Sequence, residues 1–384
     1  MLSVNKIIRF FSLIKNDMKI LILNPILYSG NNNFIPKVET IKDTMIYSMC
    51  LGFKSLGHQV TLLALECNKP TKEESYDFEI LFFKKNLSKL LNAALPLSFS
   101  MNLYIKENAK KFDIVISSEV FAFHSLVAAR CVPEKTVIWH ELALHQKKFF
   151  HIPSKIWYNV IARFFMKKAL VVPRSENSKN FIRQYLTRVS DVTVEHGMDI
   201  SKFRYSKVKN NQFIVIAQLV KRKNIPSIIE KFQRYLKKYD NSCKLMIAGR
   251  GELESELKLL IKSRGLQNNV SFLGFMSHEE MNEILPFSKA ILIDTKQDNN
   301  MVSIPEAIVS GTPVITNSVP TNSYLIKLNH VGVVKDWNED DMFEVSSNES
   351  YIDNCLKMRS ELSSSHQALT LIKLFEKYSY GKNS

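Results

Sequence analysis

Two carboxylates eight residues apart, Asp298 and Glu306, stand in the stretch DTKQDNNMVSIPEAIVSGTPVIT, from Asp294 to Thr316. Asp298 lies in a polar loop. Glu306 lies just inside a helix, with Pro305 near its start and Gly311 just past its end. A helix N-terminus offers free N–H groups and a positive dipole end, which together make a phosphate site. A carboxylate in that first turn can accept hydrogen bonds from a ribose diol, while the loop carboxylate faces whatever the phosphates carry. The same residues also fit a purely structural role. Ser303-Ile-Pro-Glu306 matches a capping box, with Ser303 as N-cap and Glu306 reaching back to it. Asp298 suits an Asx turn. On their own, these residues leave both readings of Glu306 open.

Further groups fall where chemistry could use them. Lys221, Arg222 and Lys223 follow the run FIVIAQL at 213–219. Cations at the carboxyl edge of a strand neutralise a leaving phosphate without a metal, or simply solvate a loop. Gly249, Arg250 and Gly251 form a turn after KLMIAG, which permits close backbone approach. In the first half, NPILYSGNNNF carries one glycine, Gly30, so the GxGxxG dinucleotide fingerprint is absent. His140, Glu141 and His145 lie in WHELALHQ at a strand end, where histidines contact hydroxyls, shuttle protons or serve structure. His196 and Gly197 open a polar linker and are expected to line the floor of a cleft.

The elements that must position these groups alternate strand runs with helix-period segments. KILILNPIL (19–27), HQVTLLAL (58–65), FDIVISS (112–118), KTVIWHE (135–141) and ALVVPRS (169–175) form one set. After the linker at 196–212 the pattern restarts with FIVIAQL, KLMIAG, VSFLGF (270–275), KAILIDT (289–295) and TPVITN (312–317). Short Val/Ile/Leu runs between helices imply parallel sheets covered on both faces. The expectation is an α/β chain of two tandem doubly wound domains, each binding ligands at the carboxyl ends of its strands, with a cleft between them. The expected divisions are a basic amphipathic extension over 1–17, a first domain over 18–205, a second over 206–365, and a helix in 366–384 crossing back to the first. The length of 384 residues agrees with two cores.

Ordered along the chain, these segments resemble the GT-B glycosyltransferases, most closely the retaining enzymes of glycosyltransferase family 4. VEHGMDISKF is similar to the family's hinge, VIAQLVKRKN to its GRLxxxKG, and LMIAGRGELESELKLL to its IxGxGxxxxxL. VSFLGFMSHEEM is similar to VxFLGxVxxxEL, and DNNMVSIPEAIVSGTPVIT to the E-x7-E segment and its EAMAxGxPVI tail. GHQVTLLAL resembles the first domain's GHEVTV. The resemblance implies a nucleotide-sugar donor, with Glu306 on the ribose, Asp298 towards the sugar and Lys223 on the diphosphate. The backbone at Gly274, Phe275 and Met276 would meet the base. Asn300, Met301, Val302 and Ser303 complete the implied donor segment, with Gln218, Gly249 and Arg250 beside it. Catalytic roles are expected for Asp298, Glu306, Lys223, Arg222 and His140. Three departures stand out: Asp298 replaces the first glutamate of E-x7-E, Gln218 replaces the arginine of GRL, and Glu119 follows the strand where relatives often carry a histidine.

The expected reaction is glycosyl transfer from a nucleotide sugar to a lipid-linked or surface-glycan acceptor, with retention, no cofactor and no metal, since no Asp-x-Asp motif is present. The alternative on the same fold is a sugar-nucleotide epimerase or hydrolase. A nucleic-acid partner is not expected, because no aromatic-basic RNA motif is present. Cys50, Cys67, Cys131, Cys243 and Cys355 show no paired spacing, which fits a reducing cytoplasm. The net charge is +15, and it is uneven. Residues 1–205 hold 29 Lys and Arg against 17 Asp and Glu, whereas the remainder holds 23 against 20. That asymmetry suggests an anionic partner for the first domain. The expectation is a cytoplasmic protein held peripherally on an anionic membrane by Lys84, Lys85, Lys89, Lys147, Lys148, Lys167 and Lys168, with Phe10, Phe11, Phe149 and Phe150 nearby. The same charge also fits a merely solvated surface.

Overall fold

The structure is a computed structural model describing residues 17–25, 40–70, 72–87, 95–146, 148–195, 197–298 and 301–380. It divides into two compact units: Met1–Met198 with Ser363–Ser384, and Asp199–Leu362. The breaks fall at 198/199 and 362/363, a few residues ahead of 205/206 and 365/366. Gly30, His196 and Asn300 lie outside the described residues, as do Phe10, Phe11, Lys89, Lys147 and nearly all of the 1–17 extension.

The first unit is a six-stranded parallel sheet in the order β3-β2-β1-β4-β5-β6. Its strands are β1 (Lys19–Leu23), β2 (Gln59–Leu65), β3 (Glu79–Phe83), β4 (Ile114–Ser118), β5 (Thr136–His140) and β6 (Leu170–Pro173). The central strands are buried along nearly their whole length, as in β1, where only Lys19 is exposed. A strand covered on both faces must be apolar at every position, which explains the unbroken Ile/Leu run. The final helix, Ser364–Tyr380, belongs to this unit. Its Ala368, Leu371, Ile372 and Phe375 join Met49, Cys50 and Phe53 of the helix Met45–Ser55 in the core. Gly197 makes room for it. A Cβ there would fall 2.4 Å from Ser364 Cα and 2.8 Å from Met49 Sδ.

The second unit repeats the plan in the order β12-β11-β10-β7-β8-β9. The strands are β7 (Gln212–Ile216), β8 (Lys244–Ala248), β9 (Val270–Gly274), β10 (Ile291–Leu292), β11 (Val314–Thr316) and β12 (Gly332–Val334). The helix Ile225–Lys238 buries Ile225, Ile228, Ile229, Phe232, Tyr235 and Leu236 on one face, the spacing of an amphipathic helix. The chain runs outward from β7 through β8 to β9, then returns to the other side of β7 with β10. Strand order therefore reverses between β7 and β10, where ligands of open α/β sheets bind. Two edge strands, β3 and β12, were not among the expected runs. β3 is only half buried and β12 is three residues long.

Candidate functional site

The loops leaving β7 and β10 are stitched together at the reversal point. The carbonyl of Arg222 accepts from Lys296 N at 2.7 Å and from Thr295 Oγ1 at 2.9 Å. Deeper, Asp294 is buried and accepts from Lys231 Nζ at 3.0 Å, Asn224 Nδ2 at 3.2 Å and Asn317 Nδ2 at 3.2 Å. Lys231 also lies 4.2 Å above the ring of Trp337, whose indole N–H holds the Ile293 carbonyl at 2.8 Å. A buried carboxylate is tolerable only when fully bonded, and these donors meet that demand. Together they fix the loops carrying Arg222, Lys223 and Asp298. Sequence reasoning passed over Asp294, Asn317 and Lys231, because no local motif marks residues whose partners lie 23 or 63 positions away.

On this base Lys223 bonds Asp298, and Arg222 reaches the same oxygen at 3.1 Å. Arg222 also approaches Gln218 Oε1 at 3.4 Å. The structure thus brings Gln218, Arg222, Lys223 and Asp298 into one group. Asp298, expected towards the sugar, here has both neighbouring cations on it. The physical reason is desolvation, since Lys223 is buried and Asp298 nearly so, and like burial of opposite charges favours pairing.

Glu306 departs from expectation differently. The helix Ser303–Val309 starts with Val302 in the N-cap position, already helical at φ −62° and ψ −34°, and no side chain caps it. Ser303 is therefore one residue too late to be the cap, and the capping box does not form. Glu306 N–H instead donates to the Val302 carbonyl at 3.2 Å. The Glu306 carboxyl is driven inward, 14% exposed, and among the described residues its ionic neighbour is His278 Nδ1 at 3.8 Å, beyond hydrogen-bond range. Burial pushes its pKa up to about 7. The preceding loop is clasped by a residue that the sequence did not mark. Asn322, itself buried, accepts from Met301 N at 3.1 Å and donates to Met301 O at 2.9 Å. Met301 is buried, Val302 is 48% exposed and Ser303 is buried.

The remaining loops of this unit lie at the ends of β8 and β9. Gly249 has φ +137°, and a Cβ there would strike the Ala217 carbonyl at 1.8 Å. Its role is to let two backbones meet, and its N–H donates to Gly274 O at 2.7 Å. Arg250 and Phe275 are exposed, and Met276 is half-buried.

In the first unit the expected residues are occupied with their own loop. Glu119, at φ +66°, accepts from Glu141 N at 2.9 Å and Leu142 N at 3.4 Å, and lies 2.9 Å from His140 Nδ1. His140 is fully buried beside Tyr158 and Phe181. That position corrects the expectation of an accessible catalytic histidine. His145 sits between Ser154 Oγ and Tyr185 OH, each at 3.0 Å, with its pKa lowered mainly by burial. Arg174 bonds Glu141 at 2.9 Å and lies 3.9 Å above the Trp139 ring. Gly197, expected to line a cleft, is packed against the final helix. Among the described residues, no group of three or more His, Cys, Asp or Glu is placed to hold a metal.

Comparison with known proteins matches mainly the second unit. Residues 198–367 match the family model for Glycosyl transferases group 1. An uncharacterised glycosyltransferase of Methanocaldococcus jannaschii is 26% identical over 182 residues, 44% of this chain and 44% of that one. The O-antigen chain mannosyltransferase of Salmonella typhimurium is 26% identical over 188 residues, 47% of this chain and 52% of that one. The chain thus spans about half the length of these curated relatives. The crystal structure of Anabaena HepE in complex with UDP and glucose superimposes with a TM-score of 0.59 at 14% identity, covering 94% of this chain and 100% of that one. Two six-stranded parallel sheets in matching order, with that superposition, make this the GT-B fold, and residues 198–367 are a glycosyl transferases group 1 domain.

Proposed function

We propose that the chain transfers a sugar from a nucleotide-sugar donor, with retention and without metal, to a lipid-linked or surface-glycan acceptor. The carrying observation is Glu306: a largely buried carboxyl in the first turn of a helix, in a family-matched segment, whose ionic neighbour among the described residues, His278, stands 3.8 Å away. A ribose diol supplies two O–H donors to such a group and no net charge to bury. Arg222 and Lys223 then serve the diphosphate. As the anomeric C–O bond breaks, negative charge grows on the leaving phosphate, and cations already fixed nearby stabilise it. The acceptor oxygen bonds to the anomeric carbon and its proton passes to the departing phosphate oxygen, which takes the electron pair of the broken C–O bond. Binding of the diphosphate draws Arg222 and Lys223 off Asp298, freeing that carboxylate for the sugar. Support for the donor class comes from HepE, which was crystallised with UDP and glucose. Support for the acceptor class comes from similarity to an O-antigen chain mannosyltransferase.

The test is a thermal-shift screen of UDP-, GDP-, ADP- and CMP-sugars, repeated with Glu306→Gln. One nucleotide class should stabilise the native chain, and the variant should lose most of that shift. No shift from any class, or an equal shift in the variant, overturns the ribose assignment. Turnover of the best binder at full rate without an acceptor would point to hydrolysis or epimerisation instead.

A further inference from the structure

Among the described residues of the first unit, the helical segment 152–165 carries an apolar face that the core leaves uncovered. The chain is helical from Ile152 to Phe165, with a π turn over Trp157–Ala162 inside it. Trp157, Tyr158, Ala162 and then Met166 point into the core. On the other side Ile152, Ile156, Val160 and Phe164, spaced four apart, are 54%, 54%, 47% and 63% exposed. In a regular α-helix such a row drifts by about 40° per step. The wider π turn holds more residues per revolution and cancels part of that drift, so four apolar side chains stay on one face. Phe150, just ahead of the helix, is 88% exposed.

The helix and its flanks carry charges of one sign; beside them Arg188 donates to the Lys168 carbonyl at 2.7 Å and holds one acid from another segment, Glu134, at 3.0 Å. Between Glu141 and Glu176 there is no Asp or Glu. Lys155, Arg163, Lys167 and Lys168 are exposed within or just after the helix. Exposed apolar side chains over a rim of cations, with no acid in the helix or its flanks, match the boundary of a bilayer: acyl chains meet the stripe and anionic headgroups meet the rim. A protein partner or a second copy would bury the stripe too, but neither requires 34 consecutive residues without a carboxylate. No helix among the described residues is long and apolar enough to cross a membrane, so the contact would be interfacial.

We propose that the Ile152–Phe165 helix docks the first unit onto an anionic lipid surface. The four apolar side chains enter the headgroup boundary, and Lys155, Arg163, Lys167 and Lys168 lie against lipid phosphates. This helix is distinct from the terminal extension that sequence alone suggested, and it makes no use of the donor site.

Sedimentation of the full chain with vesicles tests this. Phosphatidylcholine vesicles are compared with vesicles of phosphatidylcholine and phosphatidylglycerol at three to one, in low salt and in high salt. Binding should be at least tenfold greater to the anionic vesicles and should weaken in high salt. Replacing Ile152, Ile156, Val160 and Phe164 together by Ser should abolish it while leaving nucleotide thermal shifts unchanged. Lys155→Glu with Arg163→Glu, at two exposed positions, should lower binding at least tenfold and serves alone if the four-Ser variant fails to fold. Equal pelleting of the native chain with both vesicle types overturns the proposal, as does native-like binding by the charge variant. A concentration-dependent dimer that the Ser variant breaks, without vesicle binding, overturns it in favour of self-association.

Discussion

The strand ends of the two units carry similar side chains and use them in opposite ways. After β4 and β5 of the first unit, Glu119 is taken up by two backbone N–H groups and His140, Glu141 by Arg174, and His145 by Ser154 and Tyr185. After β7 and β10 of the second, a buried network around Asp294 holds the loops, while Glu306, 14% exposed, has His278 at 3.8 Å as its ionic neighbour among the described residues. Polar groups that answer one another fix a loop; a desolvated carboxyl in the first turn of a helix is costly and persists when a ligand repays it. On the proposed function, recognition of the donor falls to the second unit, while these strand ends of the first fix their own loops.

The largest effect that would sharpen this contrast is on turnover. Arg222→Ala with Lys223→Ala should lower kcat by about 100- to 1000-fold, with a smaller rise in KM, because the charges act mostly as the diphosphate leaves. Steady-state kinetics with EDTA present checks both this and the expectation of metal independence. Native-like kcat in the double variant would remove the cations from the reaction.

Next comes Glu306→Gln. Losing a charge-assisted bond of about 1.5–3 kcal/mol should weaken donor binding by about 10- to 100-fold. Acidity adds a second signature. The folded chain keeps this proton to about pH 7, while an ordinary carboxyl releases it near 4.5. Across that window the folded state binds more protons, so this group makes stability fall as pH rises. The Gln variant should therefore melt higher than the native chain above pH 7, by up to about 3 kcal/mol. A diol binds the anion better, so native donor affinity should fall on acidification below pH 7 and the variant's should not. Calorimetry across pH 5.5–8 reads both, a window about a unit either side of that titration.

The smallest functional effect is expected in the first unit. Glu119→Ala should cost about 1–3 kcal/mol of stability by orphaning backbone N–H groups, yet leave donor affinity unchanged. A clear loss of nucleotide binding in that variant would break the contrast between the units.

How far the sequence carried this picture follows from the range of each interaction. Apolar runs announced the central strands because double burial leaves no polar positions, as in β1 and β7. β3 and β12, at the edges, carry weaker patterns and escaped notice. The segment around Glu306 was legible as a motif, but its cap was misplaced by one residue, a shift that Val302 adopting helical angles decides. The pairing of Asp298 with Lys223, 75 positions apart, has no local signature. Nor does the clasp of Asn322 on Met301, or the burial of His140. Strand-end position alone could not separate Glu119, which serves its own loop, from Glu306, which does not.

The last helix has a bearing on how the chain acquires its structure during synthesis. Met198 and Ser363 form a parallel bridge, and Ser364 N donates to Met198 O at 2.8 Å, so everything from Asp199 to Leu362 is looped out of the first unit's sequence. As the polypeptide emerges from the ribosome, its amino-terminal sheet must wait, with the surface of Met49, Cys50 and Phe53 uncovered, until Ala368, Leu371 and Phe375 have been made. The inserted unit meets no such delay, because all its strands are contiguous. The order of maturation is thus inverted relative to the order of translation: the later-made sheet can close first, and the earlier-made one is completed by a helix made after it.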